Sequence, residues 1–193
     1  MSIYGIILFL HIVGALGLFA GIALEQVSLA RLREVGMTNQ ARDWLGVLSN
    51  LRRIDAPSGL LILATGLYMV AKAWSHQAWT GVAIIGMVLM AAISVAVTSR
   101  RVRAAKDAVG PSDAVISTGL RERLSDPVMR MAATLRAAIG VGIVFDMAVK
   151  PAAPGALAAI GVALAVGALV AFAQWSGRRE AVSGTRVAGR ELR

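Results

Sequence analysis

"ILFLHIVGALGLFAGIAL", residues 7–24, decides the fold, because its eighteen residues hold a single ionisable side chain, His11. In helical form such a run rises about 27 Å, close to the ~30 Å hydrocarbon core of a bilayer. Extended back to Ile3, it predicts a membrane span over Ile3–Leu24. The preceding "MSIYGI" carries no basic side chain. A cleavable signal peptide opens on a positive segment, so this run is expected to remain as a mature helix.

Working outward, four further apolar runs of similar length predict spans over Pro57–Trp74, Trp79–Thr98, Val128–Val149 and Gly155–Trp175. The composition of the 193 residues agrees: 57% are hydrophobic and 16% charged, and mean hydropathy is +0.69. The expectation is an all-α, polytopic bundle of five spans. Residues 1–176 would form one transmembrane domain and 177–193 a basic cytoplasmic tail. Two spans carry start signals, Asp55–Pro57 and Ser125–Pro127, where an aspartate that caps free N–H groups stands near a proline that needs none. "KPAAPG", Lys150–Gly155, breaks the chain between the last two.

A net charge of +9 raises the question of nucleic acid. The basic residues lie between apolar runs, and no aromatics interleave with them, so they read as a membrane-topology signal and exclude nucleic acid as a partner. Five arginines lie between spans one and two, six basic residues between spans three and four, and five in the tail. Lys72 and Lys150 alone mark the other side. The positive-inside rule then predicts the N-terminus outside and the C-terminus in the cytoplasm, which five spans require independently. With no cysteine in the chain, disulfides, thiolate catalysis and cysteine-held metals are excluded.

Between the first two spans, Ala41, Trp44, Leu45, Leu48 and Leu51 recur at helical spacing. Thr38–Arg53 is therefore expected as a helix, on the membrane surface or extending span two. Ser99–Asp126 reads as a looser loop.

His11 lies about 12 Å deep in span one and borders Gly14, Gly17 and Gly21, a face that admits a close neighbouring helix. It is open to two readings. A neutral imidazole fits a hydrogen bond to a carbonyl or to a hydroxyl such as that of Thr65; equally, it fits ligation of haem or a metal, or proton uptake. His76, between Trp74 and Trp79 in the turn "WSHQAW", reads as an interfacial residue. Asp146 and Lys150 stand four apart near the outer end of span four, the spacing of a helical ion pair; Asp146 facing His11 across the bundle is the alternative. Arg136, about 12 Å inside span four, is too deep to reach water fully and calls for Glu25 or an anionic ligand. Arg130 sits nearer the interface. Met69, Met87, Met90 and Met147 are soft donors that suit copper as well as helix packing.

The order of "LHIVGALGLFAG" in span one, "LATGLYM" in span two, Trp79 opening span three and "KP" closing span four resembles bacterial integral membrane proteins grouped as a domain-of-unknown-function family. The likeness covers about residues 3 to 151 and carries over His11, Thr65–Gly66 and Lys150–Pro151; the fifth span and basic tail depart from it. It implies a multi-pass protein of the bacterial inner membrane. More distantly, the "LH…G…G" pattern is similar to the copper-resistance D proteins and the HemJ-type protoporphyrinogen oxidases, which imply copper import and a haem-linked oxidation.

Three functions stay open. The first is a redox or carrier role with haem b or copper bound by His11. The second is a transporter or channel subunit with His11, Arg136 and Asp146 along a polar route. The third is a scaffold in the lipid bilayer, where Ala158, Gly161, Ala165 and Ala168 of span five would meet a helix-packing partner or a second copy in a homo-oligomer.

Overall fold

The computed structural model describes residues 2–74, 77–111 and 113–191, with side chains of the last helix placed through residue 173. His76 lies outside the described residues. In chain order the helices are α1 (Ile3–Arg31), α2 (Thr38–Asn50), α3 (Arg52–Met69), α4 (Ala78–Ile93), α5 (Ser99–Val109), α6 (Thr118–Leu124), α7 (Pro127–Val149) and α8 (Ala153–Glu191). π-helical turns extend α3 over Val70–Trp74 and join α4 to α5 over Ser94–Thr98. Five helical stretches are long and apolar enough to cross a membrane: Ile3–Arg31, Thr38–Trp74, Ala78–Val109, Thr118–Val149 and Ala153–Ala173. Large apolar side chains such as Phe9, Leu16, Leu60, Ile85 and Leu169 point outward, as a lipid-facing surface requires.

The helix ends follow local chemistry. Asp126 caps α7, accepting from the Val128 N–H at 2.9 Å with Pro127 in the first turn. At the other end Lys150 is left-handed (φ 54°), its N–H donates to the Asp146 carbonyl, and Pro151 follows. Asp55 behaves differently from its expected cap role. The backbone stays helical through Leu51 from α2 into α3, so the first-turn donors near Asp55 are already bonded and its carboxylate turns to another helix.

α7 is the central element, packed against α1, α4 and α8, while α3 rests on α1 and barely touches α4. The α1–α3 contact is made on glycine: a Cβ on Gly14 would lie 3.0 Å from Ile62, and one on Gly21 would overlap the Asp55 carboxylate. On α8, Ile160, Ala163 and Gly167 meet α7, whereas Ala158, Gly161, Ala165 and Ala168 are exposed.

A second core lies at the end of the bundle where α1 finishes, hereafter the basic end. There Leu45 and Leu48 of α2 pack with Val102, Ala105 and Val109 of α5 and with Leu124. Ser99–Asp126 is thus not the expected loop. Its apolar residues recur at helical spacing among ten charged neighbours, and burial in this core stabilises two helices there; between those helices the described residues Gly110 (φ 68°), Pro111 and Asp113 to Ser117 are irregular. Thr38 N–H and Ile116 N–H donate to Ala114 and Gly36 carbonyls to tie the connection down. α2 is therefore an extension of span two, packed on α1 and α5.

Candidate functional site

Two groups of polar residues lie inside the spans, one near each end. At the end where α1 begins, the glycine face of α1 brings His11 against α3. Its Nδ1 lies 2.9 Å from the Thr65 hydroxyl. That hydroxyl has one proton, and it donates to the Leu61 carbonyl at 2.5 Å. A hydroxyl that donates to Leu61 accepts from His11, an arrangement with the imidazole proton on Nδ1 and a lone pair on Nε2. The Ile62 carbonyl also interacts with the imidazole. Gly66 makes the close approach feasible, since a Cβ there would stand 3.3 Å from the ring.

The imidazole borders a cavity of about 280 Å³ between α1, α3, α4 and α7, just below the range of about 300–1,000 Å³ for small-molecule sites. Its walls are mostly apolar, and Met69, Met87 and Met147 all line it. The helix ends supply Tyr4, Trp74, Trp79 and Lys150. The Lys150 ammonium sits 4.2 Å from the Trp74 ring centroid, and Trp74 meets Trp79 edge to face at 5.9 Å. The π-helical turn Val70–Trp74 sets this rim, a distortion common beside functional sites.

The expected Asp146–Lys150 ion pair does not form. The helix stops at Val149, and the left-handed Lys150 carries its side chain to Trp74 rather than back along α7. Asp146 is 0% exposed, and neither carboxylate oxygen has a hydrogen-bond partner among the described residues. It does not line the cavity beside His11.

Towards the basic end, α1, α3 and α7 contribute one charged residue each. Arg136 donates from one terminal nitrogen to Glu25 Oε2 at 2.5 Å and from the other to Asp55 Oδ2 at 2.8 Å. Arg136 and Glu25 are 3% and 2% exposed. Of the two options for Arg136, the carboxylate occupies the guanidinium, and a second acid joins it. Among the described residues the Arg136 Nε, Glu25 Oε1 and Asp55 Oδ1 atoms remain without hydrogen-bond partners; the Thr98 hydroxyl interacts with Glu25 without ordinary hydrogen-bond geometry. A cavity of about 320 Å³ adjoins this triad, lined also by Arg52, Arg103 and Lys106.

The structure thus brings His11 and Lys150 to one cavity, puts Arg136 at the other end, and leaves Asp146 apart from both. Asp55 was missed as a partner of Arg136, although it is an acid at the start of an apolar span, as deep from the basic end as a buried arginine needs. Among the described residues no group of three or more His, Cys, Asp or Glu side chains stands close enough to hold a metal ion. No protein family, curated protein or solved structure matches the chain.

Proposed function

We propose that the protein is a multi-pass protein of the bacterial inner membrane that holds a haem group through His11, in a redox or carrier role. The observation that carries this reading is the His11–Thr65 contact at the edge of a mostly apolar cavity. With Nδ1–H donating to the Thr65 hydroxyl, Nε2 would offer its lone pair beside a mostly apolar cavity, which is how second-shell bonds orient a ligating histidine. His11 would hold the iron, and Lys150 at the rim would meet an anionic propionate. Met69, Met87 and Met147 would offer a thioether as a further donor. When bound, such a group supplies one-electron chemistry at a potential set by its axial ligands.

A second reading has its own support. Three methionines and one neutral imidazole form a soft donor set suited to copper(I). Lys150 argues against it, because a cation at the rim repels a metal ion that brings no anionic groups of its own. The arrangement of basic residues further supports an N-terminus outside and the basic end in the cytoplasm.

The test uses full-length protein purified after haem supplementation. A Soret band in wild type, lost in His11→Gln while membrane insertion is retained, is the expected result. Copper retention without a Soret band, also lost in His11→Gln, would favour the second reading. Wild type that binds neither haem nor copper(I) would leave His11 as a packing residue bonded to Thr65.

A further inference from the structure

We propose that the trough between α3 and α4 seats one anionic phospholipid, with its phosphate on Arg52, Arg103 and Lys106 and one acyl chain lying along Leu60, Leu63 and Ala91. This is independent of the haem reading, since it concerns the opposite end of the bundle.

The charge is the first argument. Arg136 is consumed by Glu25 and Asp55, but Arg52, Arg103 and Lys106, which line the same 320 Å³ cavity, make no ion pair among the described residues. The triad sets two carboxylates against one guanidinium, so Arg52, Arg103 and Lys106 outnumber the one negative charge left over and attract an anionic headgroup at the end of a membrane span. The shape is the second. A neighbouring cavity of about 290 Å³ shares Arg52, Asp55, Ser94 and Arg136 with the first and continues between Leu60, Leu63, Met90, Ala91 and Val95. Free phosphate has no use for that apolar half.

The third argument is length and access. From Arg52 to Leu63 the helix rises about 16 Å, roughly half of the ~30 Å hydrocarbon core, so a chain seated there stays within one leaflet. α3 and α4 scarcely touch, and Leu60 and Val95 are exposed, so the trough opens sideways to lipid. The π-helical turn Ser94–Thr98 shapes the junction of the two cavities, with Ser94 lining both.

Full-length protein in mild detergent, offered phosphatidylglycerol and phosphatidylcholine with identical acyl chains, is examined by native mass spectrometry. The expected result is one retained phosphatidylglycerol per chain. Retention should fall roughly tenfold or more in Arg103→Gln/Lys106→Gln, and comparably in Ala91→Trp, which fills the trough. Arg123→Gln, an exposed arginine outside both cavities, should retain lipid as wild type does. If Ala91→Trp does not elute as folded protein, Val95→Phe replaces it. An equal fall in Arg123→Gln, no fall in the trough variants, equal retention of phosphatidylcholine, or displacement by inorganic phosphate would each overturn the proposal.

Discussion

The two ends of the bundle treat buried polarity in opposite ways. Near the basic end Glu25, Asp55 and Arg136 come from three helices, and the guanidinium meets a carboxylate at each terminal nitrogen. Near the other end His11 spends one nitrogen on Thr65 and keeps the second beside a cavity, while Lys150 rests on a tryptophan face. A charged group in an apolar interior is tolerated when paired and hydrogen-bonded. The triad pairs its guanidinium with protein carboxylates and so ties α1, α3 and α7 together, although Arg136 Nε, Glu25 Oε1 and Asp55 Oδ1 have no hydrogen-bond partner among the described residues. The His11 end meets that condition only in part, and what is left over is available to a ligand.

The largest expected effect breaks the closed end. Arg136→Leu strands two carboxylates that are now paired, and removing one partner of a buried pair costs about 3–5 kcal/mol. Detergent-solubilised protein should show a greatly lowered unfolding midpoint on heating, followed by size exclusion. Arg53→Leu, at an exposed position of the same end, should change stability by no more than about 0.5 kcal/mol. Equal behaviour of the two variants would mean that the triad holds nothing together.

A smaller effect sharpens the open end. Thr65→Val keeps the shape of the side chain and removes the hydroxyl that fixes the imidazole tautomer. The lost hydrogen bond should cost about 0.5–1.5 kcal/mol of stability. Binding of haem should weaken by roughly 10–100-fold, the usual consequence of removing a second-shell partner. A spectroscopic haem titration of wild type against Thr65→Val separates the two quantities. Unchanged affinity would show that the tautomer is set by something other than Thr65.

The spans were legible because apolar runs of sufficient length leave little choice in a bilayer, and the Asp126–Pro127 start acted locally, as its chemistry dictates. α5 and α6 were hidden because Val102, Ala105 and Val109 bury against α2, a long-range partner that short-range charge density obscures. Thr65 stood out as a partner for His11 because both depths can be counted from the span ends. Asp55 was read as a cap because proline nearby suggests a helix start, yet α2 runs into α3 and removes the need for one. The three methionines in one cavity were individually visible, but their convergence depends on how α3, α4 and α7 meet around α1.

The smallest expected effect concerns Lys150 and tests the reading of Asp146. The residues stand four apart, and in an unbroken helix they would pair. Removing the lysine would then strand a carboxylate that is 0% exposed and cost several kcal/mol. The structure instead ends the helix before Lys150 and lays its ammonium on Trp74. Lys150→Asn suits the experiment, because asparagine tolerates the left-handed conformation while losing the charge. The expected loss is the cation–π contact alone, about 0.5–1 kcal/mol at a partly exposed site. Thermal unfolding of Lys150→Asn beside wild type reads the difference directly. A loss near that of Arg136→Leu would show that Lys150 pairs with Asp146 after all, and that this end of the bundle is closed by the same kind of ion pairing as the other.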